Sequence, residues 1–252
     1  MDDRSSEKPP VIAEGSAFTT THWSVVLAAA DSVAPGGQAA LEHLCHTYWP
    51  AAYTFVRRQG RGPDEALDST QEFFARFLER KHVKLADPER GRFRSFLLSA
   101  LDNFLKSEWR KQQAQKRGGG QWIISLDEQR DAETRFLAEP VDPATTPDRA
   151  YEKRWAITML ERVLSRLRDE FVATGRSDHF DAHKVFVWGE PGAASQVDVA
   201  ARLGITPNAL GVAVHRLRRR FGELLREEIA RTVATPADVD DELRHLIEVL
   251  GS

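Results

Sequence analysis

Apolar positions recur at helical spacing along almost the whole chain, and nowhere is there the strict alternation that a half-buried strand needs. Thr20 or Thr21 opens a predicted helix whose Trp23, Val26, Leu27 and Ala30 share a face, and Ala34-Pro35-Gly36-Gly37 ends it. A longer helix follows, with Leu41, Leu44, Cys45 and Tyr48 on one side. Pro50 predicts a kink or short break before Tyr53, Phe55 and Val56 resume the stripe. After a turn from Gly60, Pro63, Asp64 and Glu65 stand where a helix start favours proline and negative charge. That helix runs to about Arg80, with Leu67, Thr70, Phe74, Phe77 and Leu78 inward. His82 to Arg92 reads as a loop, marked by Asp87-Pro88 and Gly91. From Phe93 the pattern is helical again through Phe96, Leu97, Leu101, Phe104 and Leu105, then turns basic towards Gly118-Gly119-Gly120.

The next stretch changes character. Asp127, Glu128, Asp131, Glu133, Glu139 and Asp142 mix with Pro140, Pro143 and Pro147, which predicts an acidic, mostly extended linker that Trp122, Ile123, Ile124 and Leu126 could anchor. A long helix from about Asp148 carries Tyr151, Trp155, Leu160, Leu164, Leu167 and Phe171 inward, and a shorter one spans about Phe180 to Val187. Ser195, with Asp198 three residues on, caps a helix whose Val199, Ala200 and Leu203 share a face. Gly204 ends it, Ile205 follows as a buried turn residue, and Thr206-Pro207 starts the next helix. That helix has the stripe Leu210, Val214, Leu217 and Phe221 and continues to about Thr232. A last helix, about Pro236 to Leu250, places Val239, Leu243, Leu246, Ile247 and Leu250 on one face and acids on the other. The expected class is all-α: an N-terminal tail (1–18) without periodicity, helical domains at 19–117 and 148–232 joined by an acidic linker at 118–147, and an extension at 233–252.

Composition narrows this only a little. The 252 residues carry 35 Lys+Arg against 38 Asp+Glu, a net charge of -3. That argues against indiscriminate coating of nucleic acid but leaves room for local basic patches. The one cysteine, Cys45, lies among apolar helix positions and reads as a buried inert thiol, consistent with a reducing cytoplasm. The N-terminus reads as neither a signal nor a transit peptide, and no apolar run approaches the ~18 residues of a membrane span. A soluble cytoplasmic protein is expected.

Three constellations bear on chemistry. Asp64, Asp68 and Glu72 fall at i, i+4 spacing on one polar helical face beside Gln71, with Phe73 and Phe74 on the other side. Such a face is either plain solvated surface or a protein-docking surface; acid–base catalysis needs a concave site that drives two pKa values apart. Arg90, Arg92, Arg94, Lys106, Arg110 and Lys111 can neutralise phosphates, while Phe93, Phe96 and Trp109 either stack on opened bases or pack in a core. The segment Ser195 to Phe221, a helix, a glycine turn and a second helix crowded by Arg216, Arg218, Arg219 and Arg220, describes either a DNA-binding helix-turn-helix or an ordinary helical hairpin. His179 and His183 lie four apart beside Asp178 and Asp181, a spacing compatible with zinc but without a clear third ligand. No nucleophile arrangement, metal cluster or phosphate-binding glycine loop points to an enzyme, and no cofactor is expected.

Taken in order, these motifs resemble an extracytoplasmic-function sigma factor, the minimal two-domain class of sigma-70 family RNA polymerase sigma factors. Asp68-Ser69-Thr70-Gln71-Glu72-Phe73-Phe74 is similar to the family's acidic Gln-Glu helix, which docks on the coiled-coil clamp of the polymerase β′ subunit. The resemblance thereby implies polymerase contacts at Asp64, Asp68, Gln71 and Glu72. Phe93-Arg94-Ser95-Phe96-Leu97 through Asn103 resembles the stretch that melts and reads the minus-ten element, and His82 to Arg92 falls at the family's specificity loop. Minus-ten contacts are implied at Lys84, Arg90, Arg92, Arg94, Phe96, Asn103, Lys106, Arg110 and Lys111. The helix-turn-helix corresponds to a winged-helix-like sigma region 4, with minus-thirty-five contacts implied at Ser195, Thr206, Asn208, Gly211, His215, Arg216, Arg218, Arg219 and Arg220. Core RNA polymerase, through β and β′, and promoter DNA are the implied partners, with an anti-sigma factor or a kinase open as a regulator.

The resemblance covers about residues 20 to 230 and has departures. Ser69 stands where the family usually has an apolar residue, and Asp102 where it has a basic one. Gly211 and Ala213 replace long polar side chains in the recognition helix. Only Asn208, His215 and Arg216 remain as base readers, which predicts shallow selectivity at the minus-thirty-five end. The last helix is expected to pack on its own domain, or to lay its acidic face over the basic recognition region as an autoinhibitor. A stand-alone helix-turn-helix repressor is the alternative; it would normally dimerise on two half-sites and would need neither the Gln71-Glu72 helix nor a threaded linker. A non-DNA protein that sequesters a sigma factor fits less well with two basic segments.

Overall fold

The computed structural model describes residues 37–79, 92–112, 131, 133–137, 145–188, 195–233 and 235–251. The helices are α1 (Gly37–Arg58), α2 (Pro63–Glu79), α3 (Phe93–Gln112), α4 (Pro147–Ala173), α5 (Ser177–His183), α6 (Val185–Trp188), α7 (Gln196–Arg202), α8 (Pro207–Ala230) and α9 (Pro236–Leu250). Residues 133–137 are also helical, and no strand occurs among the described residues. The protein is all-α. The helix expected near Trp23, the specificity-loop positions 82–91 and the glycine run at 118–120 lie outside the described residues.

Local chemistry sets most boundaries. The Thr146 hydroxyl accepts the Arg149 amide at 3.3 Å, with Pro147 as first helical residue of α4. At its far end Gly175 adopts φ 67°, and the amide of Arg176 reaches back to the Phe171 carbonyl at 2.9 Å, closing the last turn. Gly204 (φ 66°) does the same after α7, with the Ile205 amide on the Ala200 carbonyl at 3.0 Å. α9 opens with a full capping box: the Thr235 amide donates to the Asp238 carboxylate at 2.8 Å, and the Asp238 amide donates to the Thr235 hydroxyl.

Several expectations are corrected. α1 runs continuously through Pro50 without a break. Thr47, Tyr48, Trp49, Ala51, Ala52 and Tyr53 flank it and are all nearly inaccessible. Burying each large side chain is worth roughly 1.5–3 kcal/mol, which together exceeds the ~3 kcal/mol that an interior proline costs. The linker is not wholly extended: the helical residues 133–137 dock on α1, where Glu133 pairs with Arg57 at 3.1 Å and accepts the Tyr53 hydroxyl, and Phe136 lies 4.6 Å under the Arg57 guanidinium. The helix expected from Phe180 to Val187 is two short ones, α5 and α6.

The largest difference is in the core. Helices from both sides of the linker share one buried cluster: Tyr48, Tyr53 and Val56 of α1, Phe73 and Phe77 of α2 and Leu97 and Leu101 of α3 belong to it. So do Tyr151, Trp155 and Met159 of α4, Leu224 and Ile229 of α8, and Val239 and Leu246 of α9. A second, smaller cluster of Phe186, Val199, Ala200, Leu210 and Val214 holds α6, α7 and the first half of α8 together. α8 therefore joins both cores, its N-terminal half in the small one and its C-terminal half in the large one.

Candidate polymerase and nucleic-acid interface

The acidic face of α2 is open. Asp64 and Asp68 are exposed, and Glu72 lies at the rim, paired with Arg76 one turn on. Arg76 also pairs with Glu108 of α3, and its guanidinium lies 5.4 Å from the Phe104 ring centre. Gln71, expected on the docking face, is only 7 % exposed. Its neighbours Thr70 and Phe74 are buried too, because at 100° per residue position 71 falls on the side turned to the core. The surface that α2 presents is a row of carboxylates with one cation at its end.

α3 divides into an inward and an outward half. Phe93, Leu97, Leu101 and Leu105 are buried, and Phe96 is half-buried between Phe77 and Phe93, with ring centres 6.1 and 6.2 Å away. These aromatics are core groups. Arg94, expected to face phosphates, is 3 % exposed. Its Nε donates to Glu242 of α9 at 2.7 Å, it pairs with Glu152 of α4, and its guanidinium lies 5.1 Å from the Trp155 ring centre. Burial works to lower its pKa, but Glu242 and Glu152 outweigh that and hold the guanidinium above the ordinary arginine range. Arg92 lies against the same Glu242 at 2.9 Å. Asn103, Lys106 and Arg110 do face solvent, Lys106 paired with Asp102. Beside them Trp109 is 59 % exposed and borders a cavity of about 460 Å³ that Arg61, Glu65 and Asp102 also line. Lys84, Arg90 and the side chain of Lys111 lie outside the described residues.

In the helix, turn and helix of α7 and α8, Ser195 and Thr206 serve as caps: Ser195 Oγ accepts the Asp198 amide at 3.1 Å and Thr206 Oγ1 the Ala209 amide at 3.1 Å. Leu210, Val214, Leu217 and Phe221 are buried, which turns Asn208, Val212, His215, Arg216 and Arg219 outward on one face. Gly211 is half-buried, and a Cβ there would meet nothing within 4 Å. The arginine cluster splits. Arg218 donates through Nε and Nη2 to the Phe186 carbonyl at 2.9 and 2.6 Å, and Arg220 makes a two-pronged pair with Glu170 at 2.9 and 2.6 Å. The hydrogen bond to Glu170 is the main cause that raises the Arg220 pKa, and the same bond lowers that of Glu170. Arg219 pairs with Glu223 at 3.1 Å. Arg216 is exposed and, among the described residues, has no acidic partner.

Residues 44–115 match the family model described as Sigma-70 region 2. That stretch is similar to a sigma-70 region 2. This supports a sigma-70 family RNA polymerase sigma factor, a protein of transcription initiation. No curated protein and no solved structure matches the chain. Region 2 takes in α1 from its eighth residue, α2 and α3, so the open carboxylate row, the buried arginine and the exposed Asn103–Arg110 surface all lie within it. The helix-turn-helix lies beyond the match.

Reasoning from the sequence missed the acids that meet region 2 from downstream. Glu242 sits between Val239 and Leu246 at i+3 and i+4 spacing, and it faces inward with Val239, Leu246 and Val249, while Ile247 is 67 % exposed. One acid inside an apolar stripe was the available signal. Glu228 of α8 is likewise buried, with His43 of α1 at 3.2 Å and Arg162, Arg166 and Arg231 around it. At the zinc-compatible spacing, His183 is buried, with its ring 5.9 Å from that of His179; among the described residues no group of three or more such side chains is placed to hold a metal. No helix among the described residues is long and apolar enough to cross a membrane.

Proposed function

We propose that this protein is a sigma factor of the extracytoplasmic-function type, directing core RNA polymerase to promoters, opening the minus-ten element with region 2 and touching the minus-thirty-five element with α7 and α8. The observation that carries this is the order within one chain: a region 2 with an open carboxylate face, a docked acidic linker, then a capped helix, turn and helix with an outward polar face. In this scheme Asp64, Asp68 and Glu72 meet a basic surface of polymerase. Asn103, Lys106 and Arg110 meet opened DNA, with Trp109 as the exposed stacking surface. Asn208, His215 and Arg216 reach base edges, and Val212 offers an apolar contact to a thymine methyl. Arg219 is placed for phosphate. Arg218 and Arg220 instead fix α8 against α6 and α4. A stand-alone repressor is disfavoured because region 2 would then have no role.

Run-off transcription with added core polymerase tests the proposal. Promoter-dependent transcripts are expected, weakened when Asp64 and Asp68 are changed together to asparagine. A folded protein that neither binds core polymerase nor supports initiation overturns it.

A further inference from the structure

α9 is the last element of the chain, yet its buried carboxylate reaches the first turn of α3. Glu242, 2 % exposed, accepts Arg94 Nε at 2.7 Å and lies 2.9 Å from Arg92 Nε, an approach between residues 148 apart in sequence for the Arg94 pair. Glu152 completes the cluster. It pairs with Arg94 from α4 and contacts Nε2 of His245, again from α9, at 3.1 Å. The two arginines come from the stretch that matches region 2, and among the described residues the acids paired with them come from beyond the linker. The acidic outer face of α9 does not lie over the exposed face of α8. Its polar contact to α8 is Asp240 with Arg226, in the half of that helix away from Asn208 and Arg216. Among the described residues the contact of α9 with the recognition helix, one of the two arrangements expected, is not formed, and α9 instead pairs with the start of α3.

We infer that α9 is a removable cover on region 2, in which the Glu242 carboxylate holds the place of a DNA phosphate between Arg92 and Arg94. The inference rests on α3 being the minus-ten contact. A carboxylate and a phosphodiester offer the same acceptor chemistry to a guanidinium, so each excludes the other. Stability alone does not require such a pair, since well-packed apolar groups of similar volume commonly do as well or better in a core. What the pair supplies is a difference between two states. With α9 seated, Arg94 is buried and the half-exposed Arg92 is held by Glu242; with α9 displaced, Arg92 loses that partner and Arg94 keeps Glu152. Core polymerase or opened DNA is what displaces it.

The test uses the full chain and a single-stranded minus-ten oligonucleotide without polymerase. Glu242→Gln is expected to bind at least about tenfold more tightly, as fits one recovered charge-assisted contact. The salt dependence should steepen by ~0.7 for one recovered phosphate contact. Lys106→Ala with Arg110→Ala serves as the companion variant. If it loses binding while Glu242→Gln matches the native chain, the cover is overturned and the minus-ten assignment of α3 survives. If neither variant changes binding, the minus-ten assignment itself fails and the cover with it. Should Glu242→Gln not fold, amide hydrogen exchange on the native chain decides. Protection of residues 236–250 is expected to fall on forming the complex with core polymerase and promoter DNA, while that of α1 persists. Unchanged protection there overturns the cover.

Discussion

Arg92–Arg94 at the start of α3 and Arg216–Arg220 in α8 look alike in the sequence and differ in the folded chain. In the first, Arg94 is buried and both arginines are paired with one carboxylate from the C-terminal helix, Arg94 also with Glu152. In the second, two arginines are occupied by the Phe186 carbonyl and Glu170, and two stand outward. Formal charge along a chain is thus not the charge a ligand meets. That depends on which carbonyls and carboxylates the fold brings within about 3 Å of each guanidinium.

Stability should separate the two stretches most. Arg94→Ala leaves Glu242 and Glu152 without their shared cation, at a cost of about 3–5 kcal/mol in urea unfolding. Arg219→Ala removes one exposed pair and should leave the unfolding midpoint near native. Equal midpoints would erase the distinction.

A carboxylate sharpens the same contrast through pH. Burial alone would raise the pKa of Glu228, but His43 and the surrounding arginines overcome it and hold the group at about 2. Its contribution is present above the ordinary carboxylate range and is lost as pH falls through that range towards about 2, on the order of 3 kcal/mol in total. Glu228→Gln should flatten this acid limb of the stability curve; an unchanged limb assigns the acid sensitivity elsewhere.

Within α8 the comparison moves to DNA. Arg216→Ala is expected to weaken binding to a minus-thirty-five duplex, and Arg219→Ala, at the phosphate contact, to lower the salt slope by ~0.9. Arg218→Ala should instead lower the melting temperature, since it releases α6. The reverse pattern would exchange their roles. The smallest effect belongs to Gly211→Ala, which meets no neighbour within 4 Å and should stabilise the helix by about 1 kcal/mol. A base scan of that element should give penalties below the ~1–3 kcal/mol of bidentate readout.

Much of the fold was legible. The caps at Ser195 and Thr206, the turn at Gly204 and the stripe Leu210–Val214–Leu217–Phe221 are all local, and short-range backbone geometry enforces them. At Pro50 the helix does not break, because the local penalty is set against tertiary burial that no window of sequence displays. Glu242 depends on distant packing too: beside four acids it looked like surface, and only the arginines waiting 148 residues upstream make its inward position tolerable. At the candidate site, the carboxylate row and Asn103–Arg110 were readable as exposed faces, whereas Gln71, Arg94, Arg218 and Arg220 were not readable as occupied.

By itself, then, the sequence determined the all-α class, the helix ends and the motifs that give the likeness to a sigma-70 region 2, since each depends on spacing within a few turns. The tertiary structure alone decided that helices on both sides of the linker share one core, and which arginines remain available. Those outcomes depend on ion pairs and apolar contacts between distant segments, whose free energy exists only once the chain has closed.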